Sequence, residues 1–108
     1  MRRGELWTAA GGAHYAGKPR PVVIVQDDRF DRTESVTVCP LTSDPLDIPL
    51  LRVPIEPDGT NRLTTPSMIM VDKVTTMPRS RLGDCVGHVS DAEMVALSRR
   101  LFVFLGLA

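Results

Sequence analysis

The chain has 108 residues, which is enough for a single domain over residues 1–108 built around one core. Hydrophobic residues make up 43% and charged residues 24%, the balance of a folded soluble protein and not of a disordered one. The 13 basic residues equal the 13 acidic residues in number. General attraction to nucleic acid through net charge is therefore excluded, and any phosphate must be recognised by locally placed cations.

No apolar stretch reaches the roughly 18 residues that cross a bilayer, and the start, Met1 to Glu5, lacks the apolar region of a secretory signal. We therefore expect a cytoplasmic protein without membrane attachment. Cys39 and Cys85 each lie in an apolar stretch, which favours buried thiols over a disulfide or a metal ligand. The two histidines and two cysteines lack the spacing of a zinc site, so we expect no metal and no cofactor.

Short apolar segments separated by turn residues predict a compact sheet or small barrel. The predicted strands are Glu5–Thr8, Pro21–Gln26, Ser35–Leu41, Ser67–Val74 and Cys85–Val89. The second of these has no polar alternation, which indicates a central strand covered on both faces. Pro40 cannot donate to a neighbouring strand, so we expect it at an edge or a bulge.

Two segments interrupt the strands. Residues 9–19 contain three glycines and are predicted to form a loop, long enough to be functional. Between Ser43 and Pro57, four prolines interrupt the apolar residues. This pattern predicts an irregular edge segment or hairpin rather than a core strand, closed by the turn Asp58-Gly59.

The chain ends in a predicted helix. Ser90 and Glu93 have the spacing of a capping box, in which each side chain accepts from the other residue's backbone N–H. Gly106 predicts the helix end. Apolar residues recur between them at spacings of three or four, namely Met94, Leu97, Leu101 and Leu105. Val95 and Phe102 to Phe104 widen this surface, so we expect the helix also to contact a second subunit.

Arg20 stands between two prolines directly before the central strand. Pro21 favours an extended backbone at Arg20, which holds the guanidinium at the mouth of the strand. A fixed and always protonated guanidinium suits a phosphate or a phosphorane. The alternative is an arginine in a surface ion pair.

Thr42 and Ser43 place two hydroxyls at the end of the third strand, within reach of a phosphate oxygen or a ribose hydroxyl. The alternative is a turn in which both hydroxyls bond their own backbone. His14 lies in the glycine-rich loop, where a histidine can act as acid or base near neutral pH. His88 lies in an apolar segment, which favours a structural role.

Six sequence blocks are informative when taken together, although no single block is specific. They are Arg3-Gly4-Glu5-Leu6-Trp7, Arg20-Pro21-Val22-Val23-Ile24-Val25-Gln26-Asp27-Asp28, Pro40-Leu41-Thr42-Ser43, Asp72-Lys73-Val74-Thr75, Arg79-Ser80-Arg81-Leu82 and Val86-Gly87-His88-Val89-Ser90. With the closing helix, they resemble in order and spacing the blocks of the MazF/PemK family of toxin endoribonucleases. The resemblance covers nearly the whole chain.

The resemblance implies a small SH3-like β-barrel of the CcdB/MazF type with a C-terminal α-helix, assembled as a homodimer. It also implies metal-independent cleavage of single-stranded RNA at selected sequences. In this family the ribose 2′-hydroxyl attacks the phosphate, leaving a 2′,3′-cyclic phosphate and a 5′-hydroxyl. A cognate antitoxin is expected to lay an acidic, partly disordered segment into the RNA-binding groove.

Residue by residue, Arg20 matches the family's catalytic arginine and Thr42 its catalytic hydroxyl. His14 and Asp72 match positions assigned to the site in the PemK-like branch, which implies catalytic roles; the alternative is a solvated loop histidine and a strand-end aspartate. RNA contacts are expected from residues near these positions, namely Ser43, Lys18, Tyr15 and Lys73.

The chain departs from the family pattern at two places. The loop before Arg20 contains no glutamate, which excludes a carboxylate base from that loop, and Met70 stands where the PemK-like branch has an arginine. Arg20 is therefore expected to carry more of the chemistry. Two other functions stay open: a CcdB-like toxin that poisons DNA gyrase through its terminal helix, and a degenerate member that only binds RNA or its antitoxin.

Overall fold

Seven strands and one C-terminal helix make up the regular structure of residues 1–10 and 19–108, the part of the chain that a computed structural model describes. The strands are β1 (Glu5–Ala9), β2 (Arg20–Ile24), β3 (Ser35–Thr42), β4 (Arg52–Ile55), β5 (Ser67–Met70), β6 (Thr75–Pro78) and β7 (Leu82–His88). The helix α1 spans Asp91–Phe104. Three 3₁₀ turns lie in the same part of the chain, at Asp28–Phe30, Val71–Lys73 and Arg79–Arg81.

The strands follow the order β4-β5-β3-β2-β1-β7, and β6 pairs with β3. Every one of these pairs is antiparallel. β3 pairs with β6 over Ser35–Val38 and with β5 at Leu41 and Thr42. It therefore belongs to two sheets and connects them into a barrel-like fold. The predicted mainly β architecture with a C-terminal helix is confirmed.

The predicted central strand is also confirmed, because β2 lies between β1 and β3. Its neighbouring residues Val23 and Ile24 are both fully buried, and successive side chains of a strand point to opposite faces. Val23 packs in a core cluster that includes Leu97 of the helix, and Ile24 packs in a second cluster with Val36 and Val38. One strand thus contributes to both cores.

Pro40 does not lie on an edge strand, so the first of the two places expected for it, an edge or a bulge, is wrong. β3 pairs with β2 through Val22 and Pro40, and on its other side it pairs with β6 as far as Val38 and with β5 from Leu41. Pro40 lies in the gap between those two partners. Its missing N–H is tolerated there because neither strand pairs with it on that side.

The proline-rich segment contains a strand that was only partly predicted. β4 lies at the end of the strand order, as expected for an edge. Val53 and Ile55 are nevertheless buried in the core, whereas Pro54 between them is exposed. The prediction that this segment contributes no core strand is wrong, because a proline on the outer face of an edge strand does not prevent its neighbours from packing inward.

The bounds of β1, β2 and β3 differ from the predicted ones by one or two residues at an end. The differences are larger in the second half of the chain. β5 ends at Met70 and not at Val74, because the chain continues into a 3₁₀ turn. β6 was not predicted, and β7 begins at Leu82 instead of Cys85. Both are strands whose side chains are largely exposed, so they lack the apolar alternation by which a strand is recognised.

The helix begins and ends as predicted. The Ser90 Oγ accepts from the Glu93 N–H at 3.1 Å, and the Glu93 carboxylate accepts from the Ser90 N–H at 2.8 Å. Gly106 has a φ of +76°, the left-handed conformation that ends a helix. Leu97 is fully buried, whereas Phe102 is 53% exposed; contact with a second subunit stays a prediction. Within residues 1–10 and 19–108, no helix is long and apolar enough to cross a membrane.

The two cysteines differ in environment, and the expected burial of Cys85 is wrong. Cys39 is fully buried, and burial raises the pKa of its thiol to about 12. Cys85 is exposed on β7. Because the thiolate is the reacting species, we expect iodoacetamide at pH 8 to alkylate Cys85 and leave Cys39 unmodified. Peptide mass mapping checks this, and equal labelling of both thiols would contradict it.

Candidate active site

Arg20 and Thr42 line one cavity of about 160 Å³. Arg20 begins β2 and Thr42 ends β3. The two strands are antiparallel, with Val22 opposite Pro40, so the same register places Arg20 beside Thr42. Ser43 lines the cavity as well. The structure therefore brings together three of the predicted site residues.

Further lining residues come from the segment that leads into β5 and from the first residue of β5, and none of them was predicted as a site residue. They are Leu63, Thr64, Thr65 and Ser67. β5 pairs with β3 so that Thr42 lies opposite Met68, which brings the start of β5 to the end of β3. The available signal was three hydroxyl residues around Pro66 directly before a strand, the same feature that pointed to Thr42 and Ser43.

The cavity combines one guanidinium with five hydroxyls, and the described residues that line it include no carboxylate and no imidazole. A cation beside hydroxyl donors is the chemistry that recognises a phosphate. The Thr42 Oγ1 accepts from the Asp44 N–H at 3.1 Å, so the expected turn contact exists beside the cavity. That bond uses the oxygen as acceptor and leaves the Thr42 O–H able to donate.

Of the other predicted site residues, Asp72 and Lys73 are not among the described residues that line this cavity. His14, Tyr15 and Lys18 lie outside the described residues. Lys73 is exposed in the 3₁₀ turn after β5. Thr42 pairs near the start of β5, whereas Lys73 follows its other end. The roles assigned to these four residues stay predictions.

Asp72 lies in the same turn and forms an ion pair with Arg52. Only 7% of Arg52 is exposed, and its Nη1 donates both to Asp72 and to the Leu51 carbonyl. This pair supports a structural role for Asp72, whereas its catalytic role stays a prediction. Sequence reasoning could not find the pair, because Arg52 is 20 residues away in the proline-rich segment.

We expect Asp72→Asn to lower the free energy of unfolding by roughly 1–3 kcal/mol. The change removes the counter-ion of a buried guanidinium, although Asp72 itself is 25% exposed and water screens part of the loss. Urea unfolding measures the difference. Asp84→Asn, an exposed carboxylate on β7, is the control with little expected effect, and equal stability of the two variants would contradict the ion pair's importance.

A family model described as "PemK-like, MazF-like toxin of type II toxin-antitoxin system" matches residues 2–105. The chain belongs to this toxin family. The toxin is 56% identical to the probable endoribonuclease MazF of Mycolicibacterium smegmatis over 108 residues, which cover 100% of this chain and 99% of that protein. The resemblance inferred from the sequence is confirmed.

Solved structures agree with this family. An endoribonuclease in complex with its cognate antitoxin from Mycobacterial species is 28% identical to the toxin, with a TM-score of 0.81 over 100% of this chain and 97% of that one. The MazE–MazF complex of Deinococcus radiodurans has a TM-score of 0.81 at 19% identity over 100% and 98%, which supports the fold alone. The alternative of a CcdB-like gyrase poison is not favoured.

Proposed function

We propose that the toxin, an endoribonuclease like its relatives, cuts single-stranded RNA at selected sequences without a metal ion and is neutralised by a cognate antitoxin. The observation that carries this proposal is the cavity shared by Arg20 and Thr42. A guanidinium and a hydroxyl on paired strands are held by the backbone register, so they can meet one phosphate without a large rearrangement.

In the proposed reaction, the ribose 2′-oxygen attacks the adjacent phosphorus and the bond from phosphorus to the 5′-oxygen breaks. The 2′-hydroxyl loses a proton and the departing 5′-oxygen gains one, so no water is consumed. The products carry a 2′,3′-cyclic phosphate and a 5′-hydroxyl. The step needs a proton acceptor, a cation for the phosphorane, and a donor to the 5′-oxygen.

Arg20 fits the second and third of these tasks. Its planar guanidinium has five N–H donors and stays protonated, so it can contact a phosphorane oxygen and the 5′-oxygen together, but it cannot accept the proton. Thr42 orients the phosphate through its O–H. His14 is our candidate for the proton acceptor, and Asp72 acts on the fold through Arg52. Further RNA contacts are proposed for Ser43, Lys18, Tyr15 and Lys73.

We also propose that the toxin is a single domain that acts as a homodimer in the cytoplasm. Apolar side chains at the end of the helix are exposed, with Val103 at 54% and Leu107 at 62%. Exposed apolar groups of this size favour contact with another protein surface. The size of the toxin in solution tests this part of the proposal.

Incubation of the purified toxin with 5′-labelled single-stranded RNA in EDTA tests the function. We expect discrete fragments whose new 5′ ends are hydroxyls and whose 3′ ends are cyclic phosphates. Cleavage that requires a divalent cation, or that leaves 5′-phosphates, would contradict the mechanism. Stalled DNA gyrase without any RNA cleavage would support the CcdB-like alternative instead, and RNA binding without cleavage would indicate a degenerate member.

A further inference from the structure

A second cavity of about 420 Å³ adjoins the cavity lined by Arg20 and Thr42, which we call the active-site cavity. The two cavities share Ser43, Thr65 and Ser67. An RNA strand with a phosphate beside Arg20 therefore has a neighbouring group within reach of the second cavity. We call this second space the side cavity.

The side cavity has apolar walls and a single charged residue among the described residues that line it. The apolar residues are Pro45, Pro54, Pro66 and Met68, and the charged residue is Glu56. Proline rings and the adaptable methionine side chain offer apolar surface against which the face of a nucleobase can pack. A carboxylate repels phosphate, but it accepts hydrogen bonds from the amino groups of bases. The lining therefore fits a base and not the RNA backbone.

The backbone around Glu56 is fixed by a buried asparagine. Asn61 is fully buried, and its Nδ2 donates to the Glu56 carbonyl at 2.8 Å. Its Oδ1 accepts from the N–H groups of Asp58 and Leu63, at 3.1 and 3.0 Å. Because Leu63 lines the active-site cavity, Asn61 ties the two cavities together as one preformed surface, and preformed surfaces bind with less loss of conformational freedom.

We propose that the side cavity seats the base of a nucleotide flanking the scissile phosphate, and that the Glu56 carboxylate selects bases that carry an exocyclic amino group over uracil. Adenine, cytosine and guanine each offer such a donor. Uracil offers a single N–H, and this group lies between two carbonyl oxygens. The negative charge of a carboxylate repels both of these oxygens. This inference rests on the proposed endoribonuclease function, and it assigns Glu56 as a specificity residue and Asn61 as a positioning residue.

Cleavage of a random-sequence single-stranded RNA pool in EDTA, followed by sequencing of the cut ends, tests the inference. The native toxin is expected to cut rarely where uracil occupies one of the two flanking positions. Glu56→Gln offers a donor as well as an acceptor, so we expect the share of cuts at uracil to rise about tenfold at that position. Glu34→Gln, the same change at an exposed residue before β3, is the control and keeps the native preference.

Two outcomes overturn the inference in different ways. If Glu56→Gln cuts the pool with the native base preference at both flanking positions, Glu56 selects no base and the inference alone is wrong. If the native toxin cuts no member of the pool, the proposed function fails and the inference fails with it. Asn61→Ala adds a separate readout. It removes the hydrogen bond to the Glu56 carbonyl, so we expect a broader base preference, while the bond between phosphorus and the 5′-oxygen is still the one that breaks.

Discussion

Arg20→Ala is expected to slow RNA cleavage by about a hundredfold to a thousandfold. The change removes the cation and the donors proposed for the phosphorane, and the loss of one such transition-state donor typically costs this much. Arg20→Lys keeps the charge but not the planar set of donors. Its cleavage rate is therefore expected to lie between the rates of the native toxin and of Arg20→Ala. Single-turnover cleavage of a labelled RNA measures each rate.

The matched control for this experiment is Arg32→Ala. Arg32 is exposed in the turn between β2 and β3, so its loss changes net charge by the same amount at a distance from the cavity. A native rate in Arg20→Ala would show that Arg20 takes no part in cleavage. Equal losses in the two variants would show that Arg20 acts only through general attraction to RNA. Thr42→Val extends the test, because it keeps the shape of the side chain and removes the hydroxyl, together with its bond to the Asp44 N–H; we expect it to slow cleavage.

Gly87→Ala is expected to lower the free energy of unfolding by about 3 kcal/mol. A Cβ built on Gly87 would lie 2.4 Å from the Thr60 carbonyl oxygen and 2.9 Å from backbone atoms of Asn61. These are backbone atoms and cannot rotate away. The His88 N–H also donates to the Thr60 carbonyl at 3.2 Å, so a shift of this loop breaks a second contact.

Gly59→Ala is the control for this prediction, because a Cβ at Gly59 meets nothing within 4 Å. Both variants add one methyl group to a glycine, in one case against backbone atoms and in the other in open space. The difference between their free energies of unfolding in urea therefore measures the cost of the close contact. Similar stability of the two variants would mean that the loop moves at little cost. In that case the surface held by Asn61 would not be preformed.

Features set by neighbouring residues were predictable from the sequence. The capping box at Ser90 and the apolar run of β2 depend on a few adjacent side chains. The capping box was found as expected, and β2 was found within two residues of its predicted ends. Arg20 and Thr42 were identified because their local sequence blocks match a family, and the antiparallel register then explains why they meet. Local chemistry was sufficient in each case.

Features that depend on the folded shape of a loop, or on partners far away in the sequence, were missed. Asn61 is a polar residue after a turn, and its burial follows from backbone partners that only the folded loop supplies. Met77 is the buried residue of β6. The strand β6 is held in place by pairing with β3, about 40 positions earlier in the chain. The burial of Arg52 likewise depends on Asp72. None of these leaves a periodic pattern in the sequence.

The position of Thr42 just after the point where β3 changes partner has an evolutionary consequence. The two residues proposed to break the phosphodiester are set by strand pairing, whereas Glu56, Thr64 and Thr65 lie between β4 and β5. Substitutions in that connection can therefore alter which transcripts are destroyed while the bond-breaking pair stays intact. Descendants of one ancestral toxin could diverge in target without passing through an inactive form, and the same separation offers a route to engineered RNA cutters.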